Sequence, residues 1–461
     1  MASIHSASNI SSPSGTLLTA ATIPKQRIAL GSLMRPMKGV WPAPDNTNGP
    51  LTGDTGIASG TPTTTGMTLY GWDSGAFNTQ SQHWVVTPTG TGQNTSGYSA
   101  CINASTPRFY TYGYMQNQPQ ESNIDFSFVT DSTKVTIMYY RNNSYQNFNY
   151  PNHQDMQVYA EYQGEMRKLN QLPITYSGGS GIYYRTLTML EARTLEYRVM
   201  LPMDCWLIGV YINTTASIRK APNKPFIITN GDSWNEPSGN AIKDPVGGAY
   251  PTGTYRVAGL SQMIAEATGF AVALCAQGGS GEFNVNDGVS HDQTYVSSTG
   301  MSTFHGQSRI DDMSAKFFAR SPIVWTIGGW NDDTLAGVPY RTNYRDRVVA
   351  GIDRMVAAKS DIQLMYSSVQ PVSITPGDAH ELGALGQADA CALRPNNVIG
   401  FINQMPMWPN TTMSGQRGAN VNSTDTIHLH IKGSEMVANW NLAEAAKFTI
   451  PLDYYNAMLA A

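Results

Sequence analysis

The sequence predicts two folded parts in series: a β-sandwich, then an α/β domain built on a parallel sheet. Two rhythms predict it. Between residues 68 and 220, short alternating or aromatic-rich stretches recur at intervals of roughly ten residues and are broken by turn clusters. After residue 222, apolar strand-like runs alternate with stretches that repeat at helical spacing. The third observation is size. A chain of 461 residues and 50.1 kDa is too long for one small core and suits two or three domains.

Residues 1–67 are rich in Ser, Thr, Gly, Pro and Asn and show little periodicity; 51–67 (LTGDTGIASGTPTTTGM) reads as linker or irregular coil. An irregular N-terminal arm is expected there, a candidate for attachment to something else. In the sandwich, 68–222, residues 124–129 and 134–141 (KVTIMYYR) are expected to form a hairpin across Thr130-Asp131-Ser132. Residues 156–162 (MQVYAEY) and 164–169 follow across a tight Gln163-Gly164 turn, and 183–190, 194–201 and 205–212 complete the run. That rhythm suits a sandwich of jelly-roll type.

The remaining stretch, 223–461, opens with a short buried strand at 226–229 (FIIT). Helical spacing at 254–268 precedes a strand at 270–276, a helix at 312–319 and a strand at 323–327. An amphipathic helix at 344–358, a strand at 362–367 and a closing helix at 433–446 complete the alternation. Strands and helices in alternation imply a parallel sheet covered on both faces, with its site beyond the carboxyl ends of the strands.

Composition narrows the function classes. Lys and Arg number 29 against 33 Asp and Glu, and no basic block occurs, so the footprint of a nucleic-acid binder is missing. No apolar run approaches the ~20 residues of a membrane span, so membrane insertion is not expected. The opening MASIHSASNISSPSG lacks a basic start and an apolar core. The expectation is a cytosolic protein, export without a cleaved signal, or a signal already trimmed. Cys101, Cys205, Cys275 and Cys391 are scattered without a CxxC pair and read as ordinary thiols.

Four short stretches carry chemistry. Asn230-Gly231-Asp232-Ser233 follows the FIIT strand, where a serine can act as nucleophile once a histidine reaches it, or simply form a turn. Gly278-Gly279-Ser280-Gly281 follows the next strand, and its backbone N–H groups can meet an oxyanion. Gly328-Gly329-Trp330-Asn331-Asp332 follows the third, with the Asn331 amide either an oxyanion donor or a turn residue. Asp425-Thr426-Ile427-His428 precedes the closing helix, and its carboxylate can hold the imidazole. His428 and His430 form an H-x-H pair, but a third metal ligand of the usual type is not nearby, so no metal is expected.

Taken in order, these stretches resemble the four blocks of the SGNH (GDSL-type) serine hydrolases: G-D-S, a glycine, G-x-N-D and D-x-x-H. The resemblance covers residues 224–461. It implies a three-layer α/β/α domain in which Ser233 attacks an ester carbonyl, His428 moves the proton and Asp425 orients His428. It also implies an oxyanion hole formed by the backbone N–H groups of Ser233 and Gly281 and the Asn331 side chain, and it requires no cofactor. Gly281 is preferred to Gly278 or Gly279 on the Ser-Gly spacing. Two departures stand out: Trp234-Asn235-Glu236-Pro237 replaces the usual Leu or Ile after the serine, and the stretch around 282–310 is long. That stretch either lines the site or is an inert insertion.

A β-sandwich ahead of such a domain resembles two-domain carbohydrate acetylesterases, and an acylated carbohydrate is the expected substrate. Tyr139, Tyr140, Tyr183 and Tyr184 either stack on sugar or pack the sandwich. The Ser/Thr/Asn/Gly/Tyr-rich, charge-poor composition is also similar to that of phage tail proteins. It implies an extracellular or virion-associated protein, with virion attachment or self-association through the N-terminal region. The rival readings are a general carboxylester or lipid esterase, for which an apolar acyl tunnel would speak, and an idle virion binding module. Against the second stands the presence of Ser233, Asp425 and His428 together.

Overall fold

Two apolar cores organise the chain, one between the sheets of a sandwich and one around a parallel sheet. The structure is a computed structural model, and it describes residues 26–37, 51–80, 124–141, 156–162, 164–169, 181–201, 205–232, 235, 260–276, 279–285, 289–297, 302–332, 340–368, 379–407 and 431–460, with short strands at 10–11, 17–18, 83–85 and 100–102.

One sheet of the sandwich runs Leu51–Asp54, Gly181–Met189, Lys134–Arg141, Cys205–Asn213 and Met67–Gly71, with Ala58–Ser59 also pairing to Gly181–Met189. The facing sheet runs Glu165–Lys168, Gln157–Tyr162, Leu195–Leu201, Ile124–Thr130 and Ile218–Lys220. Every pairing in both is antiparallel. The period-2 alternation turns Phe126, Phe128, Val135, Ile137, Tyr197 and Val199 inward. Phe128 and Tyr197 stack there, centroids 5.3 Å apart.

The sandwich departs from expectation in two places. The strands Ile124–Thr130 and Lys134–Arg141 do not form a hairpin; they lie in opposite sheets, and the chain crosses between them at 131–133. That corner is tied down locally. Ser132 Oγ donates to Lys134 O at 2.6 Å, and Asp131 accepts from the Ser217 N–H at 2.7 Å. The stretch 51–67, expected as linker, contributes strands instead. Its Asp54 forks onto the buried Arg185, with Nε–Oδ1 2.9 Å and Nη2–Oδ2 2.6 Å, which holds an otherwise weak Thr/Gly segment on the sheet edge.

In the second part five parallel strands run in the order Ala271–Ala276, Phe226–Gly231, Ile323–Ile327, Gln363–Ser367, Val398–Ile402. The order reverses beside Phe226–Gly231, and the crevice at such a switch point is where sheets of this kind bind ligands. All but the edge strand Val398–Ile402 are wholly buried, as a sheet covered on both faces requires. The helices form two packed groups. Gln307–Met313, Tyr340–Ala358 and Ala379–Leu393 pack in series; Leu260–Thr268 packs on Ile431–Ala445. Among the described residues no helix is long and apolar enough to cross a membrane.

The N-terminal stretch also reaches this part. Arg27–Ala29 pairs with Thr449–Pro451, and the backbone N–H groups of Arg35 and Met37 donate to Thr268 O and Glu266 O, both at 2.7 Å. Leu30, Leu33 and Met37 enter the second core. Residues 27–37, expected as irregular arm, are therefore a strap across the Leu260–Thr268 helix.

Arg198 joins the sandwich to the parallel sheet. Its guanidinium forks onto Asp125 (2.9 and 2.5 Å) and donates to Gly269 O and Phe270 O at 3.1 and 2.7 Å, just before the Ala271–Ala276 strand. Tyr159 donates to Glu266, and Lys224 pairs with Glu196 beside it. Arg198→Ala leaves Asp125 unpaired and is expected to cost about 3–5 kcal/mol in urea unfolding. Arg193→Ala, which breaks an exposed pair with Glu191, is expected to cost under ~0.5 kcal/mol. Equal effects would contradict the role given to Arg198.

Candidate active site

The turn that leads to Ser233 is shaped by close approach. A Cβ on Gly231 would lie 1.9 Å from Asn235 Nδ2 and 2.4 Å from Ile327 O, so only glycine fits. Asn235 is buried and its amide donates to Ile327 O at 3.1 Å, pinning this turn to the neighbouring strand. Asp232, fully buried, accepts the Gly329 N–H at 3.0 Å. The departure after the serine thus has a structural use at Asn235. Ser233 itself, with Gly278, Asp425, His428 and His430, lies outside the described residues.

The second and third blocks meet. The buried Asp332 carboxylate accepts the N–H groups of Glu282, Phe283 and Asn284 at 2.7, 2.9 and 3.1 Å and the Tyr344 hydroxyl at 3.0 Å. A Cβ on Gly281 would come within 2.3 Å of that carboxylate, which explains a glycine here. Asn331 Nδ2 donates to Ser280 O at 2.8 Å, and Asn284 Nδ2 returns a bond to Asn331 O at 2.6 Å. One hydrogen of the Asn331 amide is thereby used, and the other remains on Nδ2 as a donor. The Gly281 N–H donates to Asn284 O at 2.9 Å, so an oxyanion could take it only if that turn bond opened.

The long stretch after Gly281 packs inward where it is described, with Phe304 and His305 fully buried. His305 lies between two partners, Nδ1 at 2.7 Å from Glu282 Oε2 and Nε2 at 3.1 Å from the Tyr366 hydroxyl. Arg309, just beyond it, is also fully buried and bonds both the Gly231 and the Ser280 turns. Sequence reasoning passed over Arg309, His305 and Glu282, because nothing in their spacing marks them. Asn235 was visible only as a departure from the motif. In the sandwich, Tyr139 and Tyr183 are buried against each other, centroids 6.2 Å apart, so they pack the core and offer no face to sugar.

No protein-family model matches the sequence, and no curated protein matches it. Solved structures do. A salicylyl-acyltransferase from a tetracycline biosynthetic pathway aligns with 83% of this chain and 97% of its own at 13% identity and a TM-score of 0.53. The second part has the SGNH (GDSL-type) fold. It forms the α/β/α layers of that fold, and the β-sandwich precedes it. Two further structures are similar at lower scores. A GDSL-like lipase from Bacteroides ovatus has 14% identity, coverage of 70% and 85%, and a TM-score of 0.46. An acetyl xylan esterase from the rumen bacterium Butyrivibrio proteoclasticus has 14% identity, coverage of 74% and 93%, and a TM-score of 0.42.

Asp332, which holds the turn after Gly281, is also a group with a displaced titration. Burial raises its carboxyl to about 7, against the pull of its N–H donors. The folded chain then holds a proton that the unfolded chain releases near pH ~4. Stability from this group is therefore present below pH ~4 and is lost as pH rises towards 7, on the order of 4 kcal/mol across the window. Asp332→Asn removes the titration and loosens the turn. Urea unfolding between pH 4.5 and 7.5 should show a steeper decline with rising pH for the wild type than for the variant, and parallel profiles would contradict the assignment.

Proposed function

We propose that the protein is a serine ester hydrolase that removes short acyl groups, acetyl above all, from a carbohydrate. One observation carries the reading: the G-D-S, glycine and G-x-N-D blocks follow three adjacent parallel strands at the switch point, with the Asn331 amide held against the Ser280–Gly281 turn. D-x-x-H comes last in the sequence, before the Ile431–Ala445 helix.

In this reading the Ser233 hydroxyl oxygen attacks the ester carbonyl while His428 takes its proton. Asp425 orients His428 and stabilises its cation. The negative charge on the carbonyl oxygen is met by Asn331 Nδ2 and the Ser233 N–H, joined by the Gly281 N–H once its bond to Asn284 O opens. His428 returns the proton to the leaving alcohol, and the acyl group stays on Ser233. Water, deprotonated by His428, then attacks the acyl-enzyme, and the carboxylic acid leaves as Ser233 regains its proton. The chemistry needs no cofactor.

The carbohydrate is favoured by the sandwich ahead of the catalytic part, an arrangement similar to that of two-domain carbohydrate acetylesterases. The acyltransferase similarity favours a second outcome for the same acyl-enzyme, transfer to an alcohol in place of water.

Acetate release from acetylated xylan and from p-nitrophenyl acetate tests the proposal. Ser233→Ala should lower kcat by at least ~10³-fold, and Asn331→Ala by ~10²–10³-fold with a smaller effect on KM. Added alcohol that diverts acyl groups into a new ester would favour transfer. Activity on long-chain esters with none on acetylated sugar would favour a lipid esterase. No Ser233-dependent activity on any ester would leave a binding module.

A further inference from the structure

We propose that Arg309 is a positioning residue for this reaction: it sets the separation of the turn leading to Ser233 from the turn that holds Asn331. The inference rests on the esterase reading above and assigns a use to the stretch that the sequence left as either wall or inert insertion.

Arg309 sits at the start of the Gln307–Met313 helix, and its side chain is fully buried. Nη1 donates to Asn230 Oδ1 at 3.0 Å and Gly231 O at 3.1 Å, both on the first turn. Nη2 donates to Ser280 Oγ at 3.0 Å on the second turn and to Ser302 O at 3.0 Å. Phe304 lies against the cation, 5.6 Å from its ring centroid, and its carbonyl accepts from Asn230 Nδ2 at 3.0 Å. The guanidinium is thus a rigid plate with one nitrogen on each turn.

The consequence reaches the reacting atoms through two short chains of contacts. On one side Gly231 is two residues from Ser233. On the other, Ser280 O accepts from Asn331 Nδ2 at 2.8 Å, so the residue that Arg309 holds is the one that aims the proposed oxyanion donor. Taking a guanidinium out of water is costly, and a neutral donor would brace either turn at lower cost. What a neutral or single-point donor lacks is a fixed distance between two bonding nitrogens. Lysine, one charge on a flexible stem, cannot reproduce it. A misplacement on the order of 1 Å between nucleophile and oxyanion donor lowers rates ~10²-fold.

The experiment compares wild type, Arg309→Lys, Ser280→Ala, Asn331→Ala, Arg309→Lys/Asn331→Ala and Ser233→Ala on p-nitrophenyl acetate, with kcat, KM and thermal midpoint for each. Arg309→Lys should lose about 10–100-fold in kcat with KM within ~3-fold of wild type. Because part of its effect passes through the Asn331 amide, that loss should shrink at least ~3-fold in the Asn331→Ala background. A purely structural brace would lower the thermal midpoint and leave the two losses multiplying. Should Arg309→Lys not fold, Ser280→Ala carries the test. It keeps the guanidinium and its bonds to Asn230, Gly231 and Ser302 but removes the acceptor at Ser280 Oγ, along with the long bond from that hydroxyl to Gly231 O (3.4 Å), and should lower kcat ~3–10-fold with only a small fall in the midpoint. The inference is overturned by multiplying losses, or by variants that keep wild-type kcat while Ser233→Ala is inactive. A wild type without Ser233-dependent hydrolysis overturns the esterase reading, and this inference with it.

Discussion

A single buried carboxylate sets the geometry at the carboxyl end of the parallel sheet. Asp332 gathers three consecutive N–H groups and one phenol hydroxyl, which ties the end of the Ile323–Ile327 strand to the turn after Ala271–Ala276 and to the Tyr340–Ala358 helix. Gly281 is glycine because that carboxylate lies where a side chain would be. Asn331, one residue earlier, is therefore held against Ser280. Backbone donors converging on one acceptor fix this turn, and in the proposed reaction that would hold the Asn331 amide in place before a substrate arrives. The cost is a carboxyl kept from water, visible in its raised pKa.

The sandwich is attached to this sheet through polar contacts at one end of the Leu260–Thr268 helix and the loop after it. Arg198 reaches the carbonyls before the Ala271–Ala276 strand, Tyr159 reaches Glu266, and the strap at 27–37 bonds Glu266 and Thr268 from another side. The switch point lies at the opposite, carboxyl end of the same strand. The front part accordingly buttresses the sheet from behind the site, and its buried Tyr139 and Tyr183 belong to its own core.

The sequence made the alternation of strands and helices in the second part legible, because wholly buried parallel strands read as continuous apolar runs and their helices as periodic ones. The blocks were legible for a related reason: Gly231 and Gly281 are fixed by close approach, and Asp332 by the donors around it. Pairing was not legible. Alternation in 124–130 and 134–141 marks an inward face but does not say which sheet holds the strand, so a sandwich corner read as a hairpin. Leu51–Asp54 was missed because its stability comes from Arg185, 131 residues away, and not from its own composition. Arg309 and His305 were missed for the same reason: a buried polar side chain is recognised by its partners, and those are distant in sequence.

The most direct measurement of the central claim is the intact mass of the protein after exposure to a fluorophosphonate ester, followed by peptide mapping. The account predicts one adduct, on the peptide containing Ser233, absent in Ser233→Ala and formed far more slowly in His428→Ala. No adduct, or an adduct at another residue that persists in Ser233→Ala, would contradict it.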